Sequence, residues 1–216
     1  MMQTILIAVL TAAQAYLLGS VDTGILISKF VYHDDVRNHG SGAAGMTNML
    51  RTFGKKAAAM TAAVDVLKGV AAVCIGRWMF HLLPADAGVS PYLGVYLAAI
   101  FAVLGHLYPL YFGFKGGKGV LVGAVMLAFF DWRVFGIAFV LFLLSVIVTK
   151  WISLGSILGA VSFPITTWVF YRDPVLTAMA LGMAAVVVFM HRSNIGRIIR
   201  GKENKFSFKS KKTMSD

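Results

Sequence analysis

The sequence predicts an all-α integral membrane protein of about seven transmembrane helices, N-terminus outside and C-terminus cytoplasmic. Three observations predict it. Of the 216 residues, 58% are hydrophobic and only 13% are charged, where a soluble domain carries roughly 25% charge. The apolar residues gather into runs close to the 20 or so that a helix needs to cross about 30 Å of hydrocarbon. The basic residues lie between alternate runs, the bias that sets orientation in a membrane.

In chain order the expected spans are 4–27, 57–83, 92–112, 119–131, 134–148, 153–171 and 174–191. Met1-Met2-Gln3 supplies no basic n-region and no small-residue cleavage site follows, so the first run is expected to be a retained span rather than a signal peptide. Runs four and five are short and separated only by Asp131-Trp132-Arg133. A tight hairpin is preferred there to one kinked segment. With the N-terminus outside, the inner segments are 28–56, 113–118, 149–152 and 192–216. They hold every Lys and Arg except Lys68, Arg77, Arg133 and Arg172, while the outer loops hold Asp86, Asp131 and Asp173. Residues 1–200 read as one polytopic membrane domain and 201–216 as a solvated basic tail. No repeat of fixed period appears.

The formal charge of +11 points, in so apolar a chain, to membrane orientation and anionic ligands and not to nucleic acid. The single cysteine, Cys74, excludes an intrachain disulfide and a Cys-based metal cluster. Asp22, Asp65 and Lys68 fall inside apolar runs, where ionised groups need partners; a structural Asp–Lys arrangement is preferred slightly to a catalytic one.

Four polar segments fall on the inner side. A carrier places such groups near the midplane, whereas an interfacial enzyme collects them at one surface. The first is Gly40-Ser41-Gly42-Ala43-Ala44-Gly45-Met46-Thr47-Asn48-Met49-Leu50-Arg51. Its glycines permit a sharp turn, Ser41, Thr47 and Asn48 donate hydrogen bonds, and Arg51 can grip a phosphate with two parallel bonds. A flexible loop with a basic anchor competes on equal terms. The second runs through Gly105-His106-Leu107-Tyr108-Pro109 to Phe114-Lys115-Gly116-Gly117-Lys118-Gly119, where glycine N–H groups and a helix start suit an anion. It is not a Walker A loop, because position 112 is Phe and Gly119 replaces the magnesium-binding hydroxyl. A tight turn with two snorkelling lysines is the alternative, and His106 alone is more often a packed core residue than a catalyst. The third, Thr149 to Ser156, places Ser153 at a helix start, where an N-cap is the simplest reading. In the fourth, His191-Arg192-Ser193-Asn194-Ile195-Gly196-Arg197 and on to Glu203, His191 and Asn194 are three apart and share a helical face. Arg192 and Arg197 either bind anions or anchor the topology, and anchoring is preferred for Arg200. His81 and Asp86 match the H-x4-D pair of soluble-type glycerolipid acyltransferases, but lie on the outer side, far from every other polar cluster, and are rejected. The Asp-rich signature of CDP-alcohol phosphotransferases is missing.

With these blocks in order, the sequence resembles the bacterial membrane acyl-phosphate:glycerol-3-phosphate acyltransferase family (PlsY type). The resemblance rests on GSGAAGMTNMLR at 40–51, DVLKG at 65–69, GHLYPLYFGFKGGKGV at 105–120, KWISLGS at 150–156 and HRSNIGRIIRGKE at 191–203. It departs at Ala43, where the family usually carries Asn.

The resemblance implies a multi-pass enzyme of the bacterial plasma (inner) membrane with its active site at the cytoplasmic face. It implies transfer of an acyl chain from acyl phosphate to the 1-hydroxyl of glycerol 3-phosphate, giving 1-acylglycerol 3-phosphate and phosphate, the first step of phospholipid synthesis, without metal or other cofactor. Membrane lipid, acyl phosphate and glycerol 3-phosphate are then the partners. By the same resemblance Ser41, Arg51 and Lys118 bind phosphate, and Ser153, His191 and Asn194 surround the reacting centre. Two substrate phosphates bring up to about −4 of charge, which Arg51, Lys115, Lys118, Arg192 and Arg197 can meet, with Thr47, Asn48 and the backbone of Gly116 and Gly117 as further donors. An acyl phosphate is already activated, so no Ser-His-Asp triad is needed. Either His191 or the departing phosphate takes the hydroxyl proton, the phosphate being slightly favoured. A small transporter of a phosphorylated solute and a non-catalytic membrane scaffold are the rival readings.

Overall fold

The computed structural model describes residues 1–84, 88–89 and 92–206, which form ten α-helices and two short 3-10 turns with no strand among them. Asp86 of the rejected H-x4-D pair and the basic residues Lys209, Lys211 and Lys212 lie outside the described residues. The helices are α1 Met2–Ser20, α2 Thr23–Val31, α3 Met46–Phe53, α4 Lys55–His81, α5 Leu93–Leu107, α6 Val120–Phe130, α7 Trp132–Thr149, α8 Ile152–Tyr171, α9 Pro174–Met190 and α10 Arg192–Ile199. Five segments, Met2–Val31, Lys55–His81, Leu93–Phe112, Trp132–Thr149 and Ile152–Tyr171, are long and apolar enough to cross a bilayer, and α9 with α10, bent by 58°, makes a sixth.

Local chemistry explains where this differs from the expected spans. The first run, 4–27, is not one helix. Asp22 breaks it by accepting a hydrogen bond from the Ile25 N–H at 3.3 Å and capping α2. The inner segment 28–56 is not an open loop: it holds the end of α2, a turn at Val36–Asn38 capped by Asp35, and α3, which carries Thr47, Asn48 and Arg51. The fourth run yields only the 11 residues of α6, about 16 Å of helix at 1.5 Å per residue.

The expected hairpin between runs four and five is present. Lys118, just before α6, donates to Asn194, and Ser153, in the first turn of α8, donates to Glu203, the two being bonded to each other. The chain must therefore leave along α6 and return along α7. The corner is Asp131, whose side chain accepts from the Arg133 N–H at 2.7 Å, from the Arg133 guanidinium, and from the Tyr171 hydroxyl at 2.5 Å. Beside this corner Tyr92, Tyr96, Phe130, Phe163 and Tyr171 pack ring against ring, with Tyr96 and Phe130 centroids 4.5 Å apart. Helices α5, α6, α7, α8 and α9 each pack on the next, and α9 returns to α5, closing a ring. Outside it, α1 lies along α5 and α4.

The Asp131 corner holds a hairpin far from the polar segments, so its loss should be felt in stability. The Arg133 hydrogen bonds keep the Asp131 carboxyl well below its ordinary range. Its contribution is complete above the unfolded pKa of about 4 and is lost as the pH falls below it. Asp131→Ala should remove about 1–2 kcal/mol, lowering the thermal midpoint in detergent by about 2–4 °C per kcal/mol. An unchanged midpoint would mean the corner is held by ring packing alone.

Candidate active site

The four polar segments converge on one end of the bundle, around a cavity of about 400 Å³. Its polar end is lined by Ser41, Thr47, Asn48, Arg51, Lys118, Ser153, His191, Asn194 and Glu203, with Asp65 and His106 deeper. The rest is apolar, running inward between α5 and α9 to Tyr96, Phe130 and Phe163.

Glu203 organises the polar end. Its Oε1 accepts from Ser153 Oγ at 2.9 Å and from Asn194 Nδ2 at 2.7 Å, and its Oε2 accepts from Arg197 Nε at 2.8 Å. Burial pushes its carboxyl up, but the bonds from Asn194, Arg197 and Ser153 outweigh that and leave it below its ordinary value. Asn194 turns its carbonyl the other way, and Lys118 Nζ donates to it. Ser153 is therefore not an N-cap, as its position suggested; it fixes Glu203. Glu203 has no expected role from its place in the sequence. The signal was a lone acid between Arg200, Lys202 and Lys205.

Lys118 is largely buried, and burial, followed by repulsion from Arg197, pushes it down to about 8. It leaves a left-handed turn at Gly119, φ 72°, that opens α6. Gly116 and Gly117, expected to offer N–H groups to a phosphate, give them instead to the carbonyls of Leu107 at 3.1 Å and His106 at 3.0 Å. They are glycines for want of space: a Cβ on Gly117 would lie 2.1 Å from His106 Nε2, and one on Gly116 would lie 2.1 Å from the His106 carbonyl oxygen. His106 is held in turn by Lys68, whose ammonium donates to Nδ1 at 2.9 Å and to the Val21 carbonyl at 2.8 Å and pairs with Asp65 at 2.8 Å. Lys68 and Asp65, both inside apolar runs, thus have partners, and through His106 they carry the glycine turn.

His191 sits at the bend between α9 and α10, 2% exposed. Its Nδ1 lies 2.8 Å from the Val187 carbonyl, which can only accept, so Nδ1 bears the proton and Nε2 keeps its lone pair. Arg51 makes no hydrogen bond among the described residues, which leaves its guanidinium available at the cavity.

Not every expected phosphate ligand is brought in. Asn48 is 2% exposed and spends both amide hydrogens on the Val36 and His39 carbonyls, while its oxygen accepts from the Ser41 N–H. It shapes the first segment and has no free donor. Lys115 is exposed, outside the cavity lining, its carbonyl held by Arg37 at 3.1 Å. Arg192 is also exposed and lies over the Phe189 ring, 4.3 Å from its centroid. Arg197 stands behind Glu203 and does not line the cavity. Ala43 does line it.

Comparison with known proteins gives the family and the fold. Residues 9–201 match the family described as glycerol-3-phosphate acyltransferase. Relatives bearing that name include one from Thermoanaerobacter sp., 39% identical over 206 residues, covering 94% of this chain and 98% of the relative. Another, from Trichlorobacter lovleyi, is 41% identical over 195 residues, covering 90% and 95%. Two crystal structures of PlsY (YgiH), an integral membrane glycerol 3-phosphate acyltransferase, share the fold. The glycerol 3-phosphate form matches with a TM-score of 0.80 and 31% identity over 93% of this chain and 96% of that one. The lysophosphatidic acid form matches with a TM-score of 0.76 and 30% identity. With a family match over most of its length and the same fold in an integral membrane enzyme, the chain belongs to the glycerol-3-phosphate acyltransferase family.

Proposed function

We propose that the enzyme takes its acyl group from acyl phosphate and passes it to the 1-hydroxyl of glycerol 3-phosphate at the cytoplasmic face of a bacterial plasma membrane. The observation that carries this reading is one cavity with a cationic end and an apolar interior. Such a cavity fits a donor whose head is an anion and whose body is a hydrocarbon chain. A solute carrier needs a second exit, and the aromatic cluster at Tyr96, Phe130 and Phe163 closes the far end.

In this reading Arg51 and Lys118 hold the phosphates, with Ser41 and Thr47 as hydroxyl donors beside them. The hydroxyl oxygen of glycerol 3-phosphate attacks the acyl carbonyl carbon, the bond from that carbon to the phosphate oxygen breaks, and phosphate leaves. The hydroxyl proton goes to the departing phosphate. His191, with its Nε2 lone pair free, accepts a hydrogen bond from the hydroxyl and aims it, while Asn194 and Ser153 donate to the Glu203 carboxylate and hold it in place. Positioning and charge neutralisation supply the rate.

Seven membrane crossings, N-terminus outside, are supported by the alternation of helix ends. The ends of α1, α5, α7 and α9 and the starts of α4, α6 and α8 all lie beside the polar segments. In a Cys74→Ser background, a membrane-impermeant maleimide applied from outside should label Gly88→Cys and not Lys115→Cys. The reverse pattern would invert the orientation.

Pure enzyme in detergent should make lysophosphatidate and phosphate from acyl phosphate and glycerol 3-phosphate, and should fail with acyl-CoA even at saturation. Efficient acyl-CoA turnover would reject the donor.

An acidic limb in kcat/KM near pH 6 is expected from the donor phosphate, whose second ionisation lies there. His191→Gln should lose about 100-fold or more in rate and keep that limb. Loss of the limb with donor binding intact would make His191 the base.

A further inference from the structure

We propose that the aromatic floor formed by Tyr96, Phe130 and Phe163 sets the length of acyl chain that the enzyme uses. The inference rests on the reading of the apolar cavity as the acyl site, and adds where that site ends. Three observations carry it. The five helices α5 to α9 close a ring, each packed on the next and α9 on α5, and every one of them contributes residues to the cavity lining. All three rings line the cavity yet are 2%, 7% and 8% exposed, so they are its boundary and not its mouth. The boundary is also stiff. Tyr96 meets Phe130 edge to face at 4.5 Å and stacks on Phe163 at 5.9 Å, Phe130 packs on Tyr171 at 4.9 Å, and the Tyr171 hydroxyl is tied to Asp131. A growing chain meets aromatic rings backed by the hairpin corner, with Met126 and Met183 on the cavity wall beside them.

The depth follows from α6, which runs alongside the cavity. From Val120 to Phe130 the backbone of α6 rises about 15 Å at 1.5 Å per residue. An extended chain of about 12 carbons spans that distance, at about 1.25 Å per carbon for C–C bonds of about 1.5 Å. Each methylene within that depth is removed from water or lipid into a fitted wall, and each one beyond it has to displace a ring from a packed cluster.

The experiment uses the full-length protein in detergent and two readouts. One is kcat/KM with saturated acyl phosphates of about 10 to 20 carbons. The other is the affinity for the matching 1-acylglycerol 3-phosphates, which reads the cavity whatever the donor is. Wild type should favour chains of about 12 carbons and fall by about tenfold or more within about four carbons beyond. Phe130→Ala opens the floor and should move both profiles toward longer chains by about two to four carbons. Ala99→Leu, which adds bulk one helical turn from Tyr96 on the cavity side of α5, should move both toward shorter chains, and it answers the question if Phe130→Ala does not fold. Wild-type profiles flat across the series, or profiles that neither variant moves, would overturn the floor. Absence of acyl-phosphate turnover beside a product-binding profile that shifts as stated would overturn the donor and leave the floor standing.

Discussion

One buried carboxylate holds the polar end of this bundle together. Glu203 receives hydrogen bonds from the first turn of α8 through Ser153, from α10 through Asn194, and from Arg197. Without it, Lys118, Arg51 and Arg197 would face one another across a poorly solvated space with nothing to offset their repulsion. A buried ion pair adds little net stability, but removing one partner is costly. The arrangement therefore acts less as glue than as a register. It fixes the amide of Asn194, the amide fixes Lys118, and the cationic face of the cavity exists before any anion arrives. Preorganised charge of this kind is the largest single source of rate in many enzymes.

The same end has a second support on its other side. Lys68, on α4, satisfies its charge with Asp65, the Val21 carbonyl and His106, and so joins α1, α4 and α5 at one point. Gly116 and Gly117 lie directly on His106 with no room for a side chain. Lys118 is thus fixed from below by the glycine turn and from above by Asn194.

Much of this was legible in the chain itself. The membrane class followed from apolar content, the hairpin at Asp131 from three polar residues between two apolar runs, and the site from four polar blocks and their resemblance to a known family. What was not legible shares one cause. Hydropathy averages over a window, so it did not see Asp22 turning to cap α2, nor that residues 46–53 form a helix, nor how short α6 is. Spacing along the chain does not say which polar groups satisfy one another. Ser153 looked like a cap and is a ligand of Glu203, Asn48 looked like a donor and has no hydrogen to spare, and Gly116 and Gly117 looked like an anion nest and are a packing seam. Lys115 and Arg192 carry the right charge at the right end of the bundle and still point elsewhere. Charge counts find the neighbourhood, and hydrogen-bond accounting finds the site.

The shortness of α6 has a consequence for the membrane around it. Its 11 residues reach about 16 Å, roughly half the hydrocarbon thickness that its partner α7 nearly spans. A bilayer meeting such mismatch thins locally rather than expose apolar side chains or bury polar ones. The glycine turn and Lys118 then lie below the level that α7 reaches, and water follows them down. The length of one helix sets how far the aqueous side is brought toward the apolar interior of the cavity.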